Sequence, residues 1–394
     1  MDTWDIQADW RAQQATPDGA IFPVYESRRA TCPVQRVALA PGKEAWVVIG
    51  QSEVEQVLLD TETFSSAQYL FGPELTIPIE LDPPVHSHFR RILNQLINAR
   101  TASALEPRVR QHAIRLLTPF VAAGGGDLRP IAEELTLKVL CDLLGISDAE
   151  WEMIHETQKG LVASEIAVTD DEMVSNRFAA LKPVMDYAQN LIDLRRANPS
   201  EDFVSGLLDA KVEGRSLTNS EIIQIMVLIL MAGHETTRTA IEGSTLLLAQ
   251  HPEEQARLRA DPALLRNAIE ECLRIESPVQ ALNRKTTTEV SLAGVTIAAG
   301  AQVMPAYGAA NFDEGAFRCP ADFQIDRSAN RHFAFGRGIH TCLGAPIARM
   351  ELRVFFEEFL RMTKSFSVSG NVQRADWPDS TLCRLDVQLV PSEW

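Results

Sequence analysis

Phe335-Gly336-Arg337-Gly338-Ile339-His340-Thr341-Cys342-Leu343-Gly344 places one cysteine among glycines, and an amphipathic helical pattern begins directly after it. Pro346 sits in the first turn of that pattern, where a missing N–H costs little. Ile347, Met350, Val354, Phe355 and Phe359 then recur at helical spacing. Cys342 therefore stands at a loop-to-helix junction, where the orphan amides and dipole of the helix N-terminus favour a thiolate. The glycines allow tight turns and let backbone N–H groups and a flat ligand approach the sulfur. A thiolate so placed is a candidate redox centre, nucleophile or metal ligand. The plain alternative is a buried structural cysteine.

A second stretch breaks local rules. Thr218-Asn219-Ser220-Glu221 forms a capping box, and an apolar pattern runs from it to Ala249, stopped by His251-Pro252. Roughly thirty residues at ~1.5 Å each make a rod of about 45 Å, long enough to cross a domain. Apolar residues cover nearly every side of its first half, so that half is expected to be buried. Yet Ala232-Gly233-His234-Glu235-Thr236-Thr237 falls in its middle. Glycine is a poor helix former and a buried acid is costly, so this point reads either as a functional site or as a tolerated kink.

Two charged pairs follow from helical spacing. Pro83 and Pro84 start a helix that puts His86 and Arg90 on one face, which suits a carboxylate ligand or a solvated basic surface. A further helix is expected from Asp261-Pro262 to near Ser277-Pro278, with Glu271 and Arg274 three apart. Smaller expectations are a strand over Ala45–Gly50, a helix capped by Ser52, a flexible turn at Gly124-Gly125-Gly126, and a hairpin between Val290 and Val303. Residues 64–81 read as a long functional loop, and residues 151–196 as helices with a break around 167–171.

Composition sets the outer bounds. The chain has 394 residues, 45% hydrophobic and 23% charged, as in a globular protein. A formal net charge of −16 argues against nucleic-acid or anionic-membrane binding. Six scattered cysteines show no CxxC pair, so neither a disulfide framework nor a zinc site is expected, and a reducing cytoplasm is. No apolar run is long enough to span a bilayer.

The cysteine loop, the Ala232–Thr237 stretch, the Glu271-x-x-Arg274 pair and the His86/Arg90 helix occur in the order found in the cytochrome P-450 family. From about Trp46 onward the chain resembles the soluble bacterial type. The resemblance implies a mainly α fold: a triangular helical prism with small β-sheets, the haem lying between the long central helix and the helix after the cysteine. It implies one haem domain over 1–394 and haem b (iron protoporphyrin IX) as cofactor, with Cys342 as the iron ligand. Phe335, Gly338 and Gly344 would shape the haem loop, while His86, Arg90, Arg284 and His340 would meet the propionates. Gly233, Glu235 and Thr236 match the oxygen groove, where a small residue leaves room for O2 and an acid–alcohol pair delivers protons. Glu271, Arg274 and Arg327 match a structural lock. Ile229, Ala232, Val279, Gln280, Leu282 and Leu382 would face substrate, with a mobile lid over 151–196 and a last turn near 377–382 reaching the pocket. Glu165 and Arg177 would face either pocket or solvent.

The implied activity is O2-dependent hydroxylation or dealkylation of a small to medium hydrophobic molecule. Electrons would come from NAD(P)H through an iron–sulfur ferredoxin and its flavin reductase, since the chain carries neither motif. Rival readings are a peroxide-driven peroxygenase of the same fold and a non-catalytic haem sensor or carrier. Arg327, Arg331, Arg337 and Arg349 cluster in sequence near Cys342 and suggest a basic docking face for an acidic donor. One departure stands out: Ala310-Asn311-Phe312-Asp313-Glu314 carries Phe312 where bacterial members usually have Arg, so no electrostatic role is assigned there.

Overall fold

A computed structural model describes residues 3–14, 23–40, 43–68, 75–147, 150–164, 170–370 and 372–392. Of some residues within 158–178, only the backbone is described, and Arg177 is among them; Glu165 lies outside the described residues.

The central helix, Asn219–Gln250, organises the molecule. Its capping box is formed: the Thr218 hydroxyl accepts from the Glu221 amide while the Glu221 carboxylate accepts from the Thr218 amide. Its apolar residues, from Ile222 and Ile225 to Leu246 and Leu248, belong to one large core. That core also takes in the Arg129–Leu144 helix, which packs along the central helix, and the Ala345–Met362 helix, which packs on Ala99–Ala122.

The helix after the cysteine loop is held by its apolar stripe. Ile347, Met350, Val354, Phe355 and Phe359 are all buried. Phe355 stacks on Phe359 at 5.4 Å and meets Phe356 edge-on at 5.1 Å, and Phe359 reaches Phe366 at 4.9 Å. Each such pair adds about 0.5–1.5 kcal/mol beyond burial, so this helix is a firm base for the loop preceding it.

The sheets are small. The largest runs Val34–Ala40, Lys43–Val48, Gln302–Pro305, Arg284–Thr286, Phe64–Ser65, with one parallel pair, Gln302–Pro305 on Lys43–Val48. It delivers Arg284 to the interior, where that residue is buried. The expected hairpin is Val290–Leu292 paired with Val295–Ile297, turning at Gly294 with φ +78°. Two local expectations are corrected. Gly124–Gly126 is more than a turn: Gly125–Asp127 pairs with Asp386–Pro391 in a three-stranded sheet, because that strand offers a free edge. Ser52 does not cap its helix; Gln51–Leu59 starts after Gly50, and the Ser52 hydroxyl donates to Glu53 instead. Among the described residues no helix is long and apolar enough to cross a membrane.

Candidate active site

The cysteine loop is pinned from several sides. The Cys342 amide donates to the Phe335 carbonyl at 2.8 Å, and the Phe333 amide donates to Asn311 Oδ1 at 2.6 Å. Gly338, at φ +71°, could not carry a side chain: a Cβ there would come within 2.6 Å of the Leu58 carbonyl oxygen. Its lack of a side chain thus serves packing on the Gln51–Leu59 helix. Gly344 caps the Ala345–Met362 helix, with Pro346 in the first turn. Burial pushes the Cys342 thiol up; the amides of Gly344 and Ala345 and the charges of Arg90 and Arg349 pull it the other way. The residue keeps open surface, so a ligand can reach it. A ligand that removes the proton, such as a metal ion, would be met by stabilising amides and cations.

Behind the loop lies a buried lock. Glu271 and Arg274 are both 0% exposed and pair through two bonds of 2.8 Å. Arg327 Nε donates to the same carboxylate at 2.9 Å, as do Asn330 Nδ2 at 3.0 Å and the Gln324 amide at 3.1 Å. Arg274 also donates to the carbonyls of Asn311 and Pro320, and its guanidinium lies 5.5 Å from the Phe312 ring and 5.3 Å from Phe317. Phe312 thus packs against a cation.

A neighbouring clamp has no counterpart in the sequence reading. Glu270 accepts from Arg349 through bonds of 2.7 and 2.9 Å and bonds His332 at 3.0 Å. Arg349 in turn covers the Phe335 ring at 4.4 Å. Burial alone would raise the Glu270 carboxyl, but His332 and Arg349 outweigh it and hold it down to about 2, from 4.5. A carboxyl depressed on folding gives its full stability above about 4.5 and loses it as pH falls through about 2. Glu270→Gln should therefore cost about 3 kcal/mol at neutral pH, with the gap from the parent narrowing in acid. Denaturant titrations at about pH 7 and about pH 3 check this.

The same contacts correct the basic face expected near Cys342. Arg327 is bound to Glu271, Arg349 to Glu270, and Arg337 pairs with Glu55 at 3.1 Å while lying 4.5 Å from the Phe333 ring. Three of the four arginines are thus paired within the chain, while Arg331 stands exposed.

On another side of the cysteine the structure gathers four cationic or imidazole groups. The His86 and His340 rings lie 4.4 Å apart. His340 Nε2 meets the Ser66 hydroxyl at 3.0 Å, and Arg90 donates to the Thr341 carbonyl and Asn94. Arg284 acts on His340 and Tyr307. Burial first, then Arg284, His86 and Arg90, push His340 down to about 3. Burial, then Arg90, also lowers His86. Both His86 ring nitrogens are buried with no protein partner. Buried polar atoms without partners are costly, and a ring of donors with unspent capacity suits an anionic carboxylate. Haem, with its two propionates, fits these residues and the neighbouring cysteine.

The central helix carries the remaining candidates. Ala232 is exposed and Thr236 half-buried, one turn apart on a helix that is buried without interruption from Thr237 to Leu248. Thr236 Oγ1 donates to the Ala232 carbonyl at 2.8 Å. Glu235 is not loose: its Oε1 accepts from Arg238 at 2.6 Å. Gly233 points elsewhere than expected. A Cβ there would meet Leu140 Cδ2 at 2.8 Å, so its small size serves the contact with the Arg129–Leu144 helix, and the open position is Ala232. His234 faces the same way, with Nδ1 2.8 Å from the Thr136 hydroxyl; burial, then Arg238, His155 and Arg129, hold it neutral with its pKa at about 3.

The pocket residues divide. Leu282 is 39% exposed, and Val279 and Ile229 are half-buried. Gln280 is 1% exposed and fully engaged: Nε2 donates to the Glu276 and Ser277 carbonyls, and Oε1 accepts from the Tyr25 hydroxyl at 2.9 Å. It is a structural brace, because its amide finds partners only inward. Leu382 is 0% exposed and joins the main core, so it presents no surface to a pocket. The last turn does reach the central helix, through Thr381 Oγ1, 3.1 Å from Thr239 Oγ1.

A cysteine at a helix N-terminus, a donor cluster for carboxylates beside it and open surface midway along a long helix define a haem-thiolate type of site. The family model for cytochrome P-450 matches residues 153–381. The chain is 34% identical to mycinamicin IV hydroxylase/epoxidase of Micromonospora griseorubida, covering 94% of each. It is 32% identical to 6-deoxyerythronolide B hydroxylase of Saccharopolyspora erythraea, over 92% of this chain and 93% of that protein. The solved structure of a cytochrome P-450 from Chondromyces apiculatus superposes with a TM-score of 0.87 at 27% identity, covering 100% of this chain and 99% of that one. The chain belongs to the cytochrome P-450 family, bacterial type, and is a monooxygenase of that family with haem b as cofactor. The mainly helical architecture is the family's.

Proposed function

We propose that the whole chain works in the cytoplasm as one haem domain that hydroxylates or dealkylates a small to medium hydrophobic molecule. It would use electrons from NAD(P)H delivered by an iron–sulfur ferredoxin and its flavin reductase. One O2, two electrons and two protons are consumed; one oxygen enters the substrate as hydroxyl and the other leaves as water. The bound haem supplies the activation of O2. Cys342 would hold the iron as thiolate; on binding it, the thiol would lose the proton that burial favours, helped by the amides of Gly344 and Ala345 and the charges of Arg90 and Arg349. His86, Arg90, Arg284 and His340 hold the propionates. The Glu271–Arg274–Arg327 lock keeps the cysteine loop in place.

The observation that carries the monooxygenase reading is the accessible face midway along the continuous central helix. Ala232 and Thr236 keep open surface on it, and an acid, Glu235, sits beside the hydroxyl. A Thr hydroxyl can accept and donate at once, so Thr236 can pass a proton toward O2 while Glu235 supplies it. Ile229, Val279 and Leu282 offer apolar surface for the substrate. Relatives named mycinamicin IV hydroxylase/epoxidase and 6-deoxyerythronolide B hydroxylase support hydroxylation of a hydrophobic substrate.

Thr236→Ala tests this. The variant should retain haem and the substrate-induced spin shift but divert most reducing equivalents to hydrogen peroxide, measured as product formed per NAD(P)H consumed. Full coupling in that variant would contradict the relay, and efficient turnover with peroxide alone would favour a peroxygenase.

A further inference from the structure

The buried triad behind Glu235 belongs to no role assigned above. Arg238 is 1% exposed and Glu242 0%, so two ionisable side chains are sealed in the core beside the central helix. Arg238 Nη1 donates to both oxygens of Glu242, at 3.0 and 2.9 Å, and Nη2 donates to Glu235 Oε1 at 2.6 Å. One guanidinium thus serves two carboxylates, each about one turn away on either side of it, one sealed in the core and one 38% exposed. Burial works against the charge on Arg238, but Glu242 and Glu235 outweigh it and hold it protonated.

We propose that Arg238 and Glu242 form a latch on Glu235: Glu242 competes with Glu235 for Arg238, and its protonation state sets how firmly the relay acid is held. The latch rests on the reading of Glu235 as proton donor to Thr236. Arg238 and Glu242 touch neither substrate nor haem; they are positioning residues. With Glu242 neutral, the whole charge of Arg238 bears on Glu235 and the acid stays bound. With Glu242 ionised, two carboxylates share the guanidinium, and Glu235, the one with access to water, is released to carry protons.

The setting allows the switch near neutrality. Burial raises the Glu242 carboxyl, against the pull of Arg238, to about 7. The other charges reaching it are Arg129, on the helix packed alongside, which favours ionisation, and Asp127, on the adjoining strand, which opposes it. Arg129 is fixed by its bond to the Leu382 carbonyl at 2.7 Å, and Asp127 by the Arg129 and Leu385 amides, so both fields are steady. A carboxyl raised on folding is neutral on the acid side, which closes the latch; raising the pH opens it.

The test uses the haem-loaded protein with glutamate carboxyl carbons isotopically labelled. Infrared titration without turnover should show a protonated carboxyl band that disappears around pH 7, persists in E235Q and is missing in E242Q. A second readout is the fraction of electrons reaching product. In the parent this fraction should rise from about pH 6 to about pH 8. In E242Q, whose amide is permanently neutral, it should stay at the acid value throughout. If E242Q holds no haem, R238K takes its place: a single ammonium cannot fork between both carboxylates, and the pH dependence should again flatten. A band unchanged in E242Q, or a parent-like pH profile in whichever variant is used, overturns the latch. The underlying reading fails differently: E235Q with parental coupling would remove Glu235 from proton delivery, whereas an uncoupled E235Q beside a parent-like E242Q would refute the latch alone.

Discussion

Cys342→Ser should reduce NAD(P)H-driven product formation to background while leaving the helical fold intact. The expectation follows from where the sulfur sits. The residue ends a loop whose backbone is tied at Phe333 and Phe335, and it precedes a helix held by buried aromatic contacts. A serine hydroxyl has nearly the same shape, so none of that packing changes. The chemistry does change. A thiolate is stabilised by the Gly344 and Ala345 amides and donates electron density to iron, whereas a hydroxyl in the same place stays protonated and is a poor ligand. Far-UV circular dichroism should match the parent, and assays with surrogate redox partners should give no product. Parental turnover from this variant would place the iron ligand elsewhere.

Glu271→Ala should produce the largest loss of stability of any single change outside the cysteine. The carboxylate is 0% exposed and accepts from Arg274, Arg327, Asn330 and the Gln324 amide. Removing it leaves Arg274, also 0% exposed, with carbonyl partners but no counter-charge. Breaking a buried pair in this way costs about 3–5 kcal/mol, a large share of a typical folding free energy. Arg327 and Asn330 then lose their anchor, and the segment leading into the cysteine loop is released with them. Purified protein should carry a small fraction of the parental haem and unfold at clearly lower denaturant. Glu271→Asp should not rescue it, because a carboxylate one methylene shorter cannot reach Arg274 and Arg327 together. Parental stability in Glu271→Ala would show that the lock is dispensable.

What was legible in the sequence was local. The capping box at Thr218, the apolar stripe after Cys342, the Glu271–Arg274 spacing and the turn at Gly294 each depend on residues a few positions apart, and each is present. Arg327 was reachable only through family resemblance, since nothing local links it to Glu271. What escaped depends on distant partners. Gln280 was placed in the pocket by family resemblance; the structure ties its amide to the Glu276 and Ser277 carbonyls and to Tyr25, 255 positions away. Gly233 looked like the opening in the groove, but the surface it meets is Leu140, on another helix. Leu382 turned inward because the core there had room for an apolar side chain. Glu270 and His332 were passed over although Glu270 adjoins Glu271; the two glutamates diverge, one to Arg274 and Arg327, the other to Arg349 and His332. Arg238 and Glu242 were passed over as well, because charges four apart on a helix read as a surface bridge and only their complete burial marks them as more.

The central claim is that Cys342, as thiolate, holds the haem iron. The absorption spectrum of the dithionite-reduced protein under carbon monoxide tests it most directly. The account predicts a strongly red-shifted Soret band, lost in Cys342→Ser. A carbonyl spectrum of the histidine-ligated type in freshly prepared, undamaged protein would contradict it.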